Sequence, residues 1–135
     1  MKLSVKSEYA CLALITLAEA YDNGELYSIT RIADSKDIPK KYLEQILLIL
    51  KYGGYVRSHK GPKGGYKLAK SPDRINIAEI IRLMDGALAP VESVSTYFFE
   101  HTPIEKSPKL LEVFRDLRNY ISDTLEQLTL DKLVE

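Results

Sequence analysis

The stretch from Ser28 to Ala69 constrains the fold more than any other. It strings two short amphipathic helices and a glycine-rich basic hairpin together with almost nothing between them. Ser28 can cap a helix in which Ile29, Ile32 and Ala33 follow the i, i+3, i+4 spacing of one face. A break at Ser35–Ile38 comes next, and Pro39 suits the first position of a second helix, where its missing N–H costs nothing. That helix runs to about Tyr52, and Gly53-Gly54 supply the left-handed residue that ends it. On a helical wheel Leu43, Ile46, Leu47 and Leu50 gather on one side, with Lys40, Lys41, Glu44, Gln45 and Lys51 opposite. Leu48 is stranded in the polar arc. A lone exposed leucine needs no explanation, but in a DNA groove it can touch a thymine methyl.

Tyr55–His59 and Gly65–Ala69 read as short strands around Lys60-Gly61-Pro62-Lys63-Gly64. Val56 alternates with Arg57, and Tyr66 and Leu68 alternate with Lys67. Two helices joined by three or four residues and followed at once by a basic hairpin give the order of a winged helix-turn-helix.

The flanking segments extend this unit. Ser7 can cap a first helix reaching about Tyr21, with Ala10, Leu14, Leu17, Ala18 and Tyr21 on one face, stopped by Asp22-Asn23-Gly24. A further helix near Ile77–Asp85 buries Ile77, Ile80, Ile81 and Met84. Gly86, Pro90, Pro103 and Pro108 then interrupt a long connection, a length that is usually functional or mobile. Ser107 caps the last helix with Pro108 at its first position. Leu110, Phe114, Leu117, Ile121, Thr124 and Leu128 recur there at heptad-like spacing. Some twenty helical residues reach roughly 30 Å, longer than a small core needs, so the stripe is expected to meet a second copy of itself. The expected class is mainly α with a small β-hairpin. Residues 1–86 form the winged helix-turn-helix domain, 87–107 a connecting, sensor-like loop, and 108–135 a long C-terminal dimerisation helix and tail.

Composition narrows the function. The 135 residues carry no net charge, yet residues 1–82 hold 14 Lys/Arg against 9 Asp/Glu and residues 83–135 hold 5 against 10. Within 31–74 the ratio is 11 to 4, a basic segment suited to a polyanion joined to an acidic one that is not. Apolar runs such as Ile46 to Leu50 fall far short of the roughly 20 residues that cross a bilayer. Ser4, Lys6 and Glu8 break any secretory signal, so a soluble cytoplasmic protein without a membrane partner is expected. One cysteine, Cys11, excludes an internal disulfide and any CxxC site. With only His59 and His101, a zinc site would rely on carboxylates. There is no Ser-His-Asp order, phosphate loop or HExxH, and Gly61–Gly65 leads to a strand rather than a helix, so no enzyme is expected.

These residues carry a resemblance. Ser4-Val5-Lys6-Ser7-Glu8-Tyr9-Ala10, Ile38 to Leu47 with its Tyr42-Leu43-Glu44-Gln45, Gly54 to Ser58, Gly61 to Ala69 with its Gly64-Gly65-Tyr66, and Ile80 to Gly86 together resemble the Rrf2 family. This family comprises bacterial winged-helix transcription regulators, among them iron–sulfur cluster regulators and cysteine-metabolism repressors. The resemblance spans residues 4–86, and the last helix matches only in type, a helix that forms the dimer in this family. It implies that the helix at 39–52 enters a major groove of double-stranded DNA and that the wing at 59–65 lies in or along a minor groove. Glu44 and Gln45 match the base-reading pair; glutamate accepts from cytosine N4 and glutamine pairs with adenine. Glu44 has a second reading, an ion pair with Lys40 or Lys41. Lys40, Lys41 and Lys51 would hold phosphates, with Tyr42 beside them. Lys60, with Lys63 in the wing, stands where many relatives have arginine and lacks the planar fork. His59 either contacts phosphate or is a solvated strand histidine.

The departure concerns sensing. Cluster-binding relatives carry three cysteines after the fourth helix, whereas here Ser93, Thr102 and Ser107 occupy the region, and hydroxyls are poor iron ligands. Cys11 is either a small helical hydrophobe or, with Glu8 and His101, a mixed ligand set; no cofactor is expected. Tyr97, Phe98 and Phe99 serve either core and dimer packing or a ligand or partner site. The expected function is a homodimeric repressor reading an inverted repeat, with Leu110, Phe114, Leu117, Ile121 and Leu128 at the dimer contact and a regulatory protein or small effector as a possible further partner. The alternative, motivated by the acidic C-terminal half and the Leu130–Val134 tail, is a protein-interaction adaptor that docks a metabolic enzyme or another regulator, alone or in addition to DNA binding.

Overall fold

The computed structural model describes residues 1–135. Its helices are α1 (Val5–Glu19), α2 (Ile29–Lys36), α3 (Lys40–Tyr52), α4 (Ile77–Asp85) and α5 (Pro108–Glu126). Strands β1 (Val56–His59) and β2 (Gly65–Leu68) pair antiparallel, with Val56 opposite Leu68, Arg57 opposite Lys67 and His59 opposite Gly65. The mainly helical, winged architecture is as the sequence implies.

α1 is the hub, packed against α2, α3 and α4. Its Ala10, Ala13, Leu14 and Leu17 are buried against a core that includes Ile32, Leu43, Ile46, Leu50, Ile75 and Ile80. Alanines at two of those four positions let the helices approach closely, and each fully buried leucine or isoleucine contributes about 1.5–3 kcal/mol.

The first helix starts one turn earlier than Ser7. Ser4 is the cap, accepting from the Ser7 N–H at 3.0 Å, while Ser7 is wholly buried. Ser4 is held in turn by Asp85 at the end of α4, whose carboxylate accepts from the Ser4 N–H at 3.0 Å and from its hydroxyl at 2.5 Å. Partial burial pushes the Asp85 carboxyl up, but hydrogen bonding from Ser4, with a smaller part from Ser7, together outweighs it and holds the group below its ordinary value.

Ser28 caps α2 through the Arg31 N–H. Asp37, left-handed at φ 53°, ends α2 and turns the chain toward α3. Pro39 sits one position earlier than expected, as the residue before the helix rather than its first. The strands are also shorter than expected: Tyr55 and Ala69 fall outside them, joined by an Ala69 N–H to Tyr55 carbonyl bond of 2.8 Å.

The C-terminus returns to the core. The Ile77 N–H donates to the Leu128 carbonyl at 2.9 Å, and the Leu130 N–H donates to that of Ile75 at 3.1 Å. Leu130 is completely buried, so the tail is docked within the molecule and is not a free peptide.

Candidate nucleic-acid interface

α3 meets the core through Leu43, Ile46, Leu47 and Leu50 and leaves its other face open along its whole length. Lys40, Lys41, Glu44, Gln45 and Lys51 all lie on the open side. Glu44 forms an ion pair with neither Lys40 nor Lys41, so its carboxylate is available to a ligand. The Lys40 ammonium donates to the Thr30 hydroxyl at 3.0 Å, which pins the start of α3 to the first turn of α2. Tyr42 leans on Tyr9 of α1, ring centroids 6.1 Å apart, so its ring is positioned by α1 while half of its surface faces solvent. Lys41, Tyr42 and Gln45 line a shallow depression of about 350 Å³.

The wing stands beyond the C-terminal end of α3. A cleft of about 440 Å³ between them is lined by Lys51, Arg57, Ser58 and His59. The turn at its tip is closed by the Gly64 N–H donating to the Gly61 carbonyl at 2.9 Å, with Lys60 and Lys63 exposed on it. Two glycines are sterically required here. A Cβ on Gly64 would lie 2.0 Å from the His59 carbonyl oxygen. One on Gly65, at φ +151°, would lie 2.6 Å from that of Tyr27. The second approach exists because Tyr27 and Tyr66 exchange backbone hydrogen bonds of 3.0 and 2.8 Å, adding a bridge that anchors the hairpin beside α2.

Arg57 and Lys67 were not among the residues singled out from sequence. They face each other across the hairpin, and like charges in that arrangement repel. Strand alternation already put both opposite the buried Val56 and Leu68, which was the signal available.

The expected dimer residues divide. Leu110 and Leu117 are exposed, Phe114 and Ile121 are half-buried, and Ile121 packs on the core. Leu128 lies past the end of α5 and packs on the same core, because its carbonyl holds the start of α4. Val113 (53% exposed) and Tyr120 (74%), absent from the sequence reading, complete the open face with Leu110 and Leu117.

In the 87–107 connection, the hydroxyls of buried Ser93 and half-buried Thr102 bond to each other at 2.6 Å. The Thr102 N–H donates to Glu105 at 2.9 Å, and Arg118 of α5 donates to the Thr96 hydroxyl at 2.7 Å. His101 hydrogen-bonds Glu105 at 3.1 Å and holds its carboxyl below the ordinary range. Tyr97, Phe98 and Phe99 are exposed, which excludes the core-packing reading for them; Arg82 stacks on Tyr97 at 4.9 Å. Cys11 is packed against the core. Burial, and secondarily the Asp85 charge, pushes its thiol up to about 11, the opposite of what a metal-ligating thiolate needs. No three of His, Cys, Asp and Glu come together as a ligand set, so Cys11, Glu8 and His101 do not combine. Hydroxyls spent on one another and a protonated thiol do not fit an iron or iron–sulfur group.

No helix is long and apolar enough to cross a membrane. The Rrf2 family model, "Iron-dependent Transcriptional regulator", matches residues 3–135. The HTH-type transcriptional regulator CymR of Bacillus subtilis is 32% identical over 98% of this chain and 89% of its own length. The regulator IscR of Cereibacter sphaeroides is 42% identical over 63% of this chain and 56% of its own. Among solved structures, that of CymR, the global cysteine regulator of B. subtilis, superposes with a TM-score of 0.84 at 31% identity, covering 98% of this chain and 95% of that one. IscR of T. potens superposes at 0.75 and 28% identity, covering 98% and 85%. With the open α3 face and the basic wing, these similarities establish that the chain belongs to the Rrf2 family and is a DNA-binding transcriptional regulator.

Proposed function

We propose that two copies join through the outer face of α5 and lay two α3 helices into successive major grooves of an inverted-repeat operator, repressing transcription by occupancy. The observation that carries this reading is the open polar face of α3, with Glu44 unpaired and lysines at both ends. Lys41 and Lys51, with Lys60 and Lys63 of the wing, supply sequence-independent phosphate attraction, while Glu44 and Gln45 read base edges. Half-sites on one face of the duplex lie about 34 Å apart, which two copies span if a two-fold axis presents both α3 helices, running antiparallel, on the same side of the pair. The repressor acts without a cysteine-ligated cluster.

Competition binding with a panel of single-base operator variants tests the assignment. Lys41→Ala is expected to weaken binding to every duplex alike, and Glu44→Ala to relax choice at one base pair of each half-site. Unchanged base preference in Glu44→Ala would remove Glu44 from the reading surface.

A further inference from the structure

Among the outward side chains of α3, every one except Leu48 ends in a charge, an amide or a hydroxyl. Leu48 is 51% exposed and takes no part in the hydrophobic core, although its neighbours Leu47 and Leu50 are buried. It lies on the line Lys41, Gln45, Leu48, Tyr52, successive neighbours at i+4, i+3 and i+4 down the middle of the open face. Helical rise puts it about 6 Å beyond Glu44, close to two base-pair steps of about 3.4 Å. The flanking Lys41 and Lys51 suit a polyanion, and the apolar group that base pairs display in the major groove is the C5-methyl of thymine.

We propose that Leu48 is a specificity residue. It covers the methyl of a thymine within about two base pairs of the pair read by Glu44. The inference rests on α3 lying in the major groove. It predicts discrimination by shape and hydrophobicity at a position where no hydrogen bond from the protein is made.

The test uses the full chain and a duplex recovered from a randomised pool by repeated selection for binding. Each thymidine of both half-sites is replaced in turn by deoxyuridine, which removes the methyl and leaves base pairing intact. One symmetric pair of replacements, near the base pair relaxed by Glu44→Ala, is expected to weaken wild-type binding about fourfold per methyl and about fifteenfold for both. Leu48→Ala is expected to bind the thymidine and deoxyuridine forms equally. Its melting temperature should stay near wild type because the side chain is outside the core. Tight sequence-specific binding that ignores every deoxyuridine, or an equal loss in wild type and Leu48→Ala, overturns the role of Leu48 alone. Failure to select any duplex overturns the groove reading, and this inference with it.

Discussion

Salt is the most searching perturbation of the proposed interface, because its effect can be worked out from side chains that are individually visible. Lys41, Lys51, Lys60 and Lys63 are exposed and pair with no acidic side chain, so each is free to neutralise a phosphate. Lys40, whose ammonium is directed to the Thr30 hydroxyl, keeps its charge and would steepen the slope by about 0.9 per copy if it also reached a phosphate. Four cations in each of two copies release counterions with a log–log slope of about −7, at roughly −0.9 per phosphate. Affinity should then fall about ten-thousandfold between about 50 and 200 mM monovalent salt. Lys41→Ala adds a sharper constraint: the slope becomes shallower by about 1.8 if two copies bind one duplex, but by only about 0.9 if one does. Fluorescence anisotropy of a labelled operator, titrated at several potassium chloride concentrations, reads both numbers. Lys109→Ala, on α5, serves as a control that should leave the slope unchanged. A wild-type slope shallower than about −2 would refute the phosphate assignment, and an unaltered slope in Lys41→Ala would remove that residue from it.

Three further outcomes follow from the packing. Replacing Val113 and Leu117 together by glutamate removes half-exposed side chains worth about 1 kcal/mol each on burial, four across a pair, so dimer dissociation should rise about a thousandfold or more; light scattering should find monomer with the helical content of α5 kept. Ser93→Ala leaves Thr102 without its buried partner and should cost about 1 kcal/mol in urea unfolding, whereas a loss indistinguishable from zero would mean that this bond does not brace the connection. The Cys11 thiol, with its pKa raised to about 11 from 9.0, should react with iodoacetamide at pH 8 about a hundredfold more slowly than an unperturbed thiol. Because the folded value is the higher one, its contribution to stability is complete below pH 9.0 and is lost as pH rises toward about 11, and alkylation at the free-thiol rate would contradict the packing of Cys11.

What was legible in the sequence was whatever is decided within a few residues. Ser28, the Pro39 turn and the Gly64-Gly65 tip mark boundaries through local hydrogen bonds and backbone angles, and the 3.6-residue period assigned the buried side of α3 correctly. The start of α1 was not decided locally. Ser4 and Ser7 are both suitable caps, and the choice is made by Asp85, 81 residues away, which fixes Ser4 and leaves Ser7 to be buried. The Tyr27–Tyr66 bridge, the Ser93–Thr102 pair and the docking of Leu130 depend in the same way on partners that no window of sequence contains. Leu128 was misplaced because heptad spacing runs on after the helix has ended at Glu126.

α5 shows why one apolar stripe can hide two surfaces. At about 100° per residue, Tyr120, Val113, Leu117, Leu110, Ile121, Phe114, Leu125 and Leu111 fall in that order around an arc of roughly 180°. A helix packed on one core needs an arc of only about 100°. The half of the arc from Ile121 to Leu111 is half-buried by the rest of the chain, and the half from Tyr120 to Leu110 is open. Leu110, Phe114, Leu117 and Ile121 run down the middle of the arc, so heptad spacing alone mixes the two halves. The width of the arc was the usable signal. Covering one half within the chain leaves the other at a fixed angle to α4, to which α5 is tied by the 2.9 Å Arg82–Glu126 ion pair. α4 in turn packs on α1, and α1 on α3. Under the proposed pairing, a second copy seated on the open half would be held at a fixed angle to α3 through three helix packings, with no flexible linker between the proposed pairing surface and the proposed reading surface.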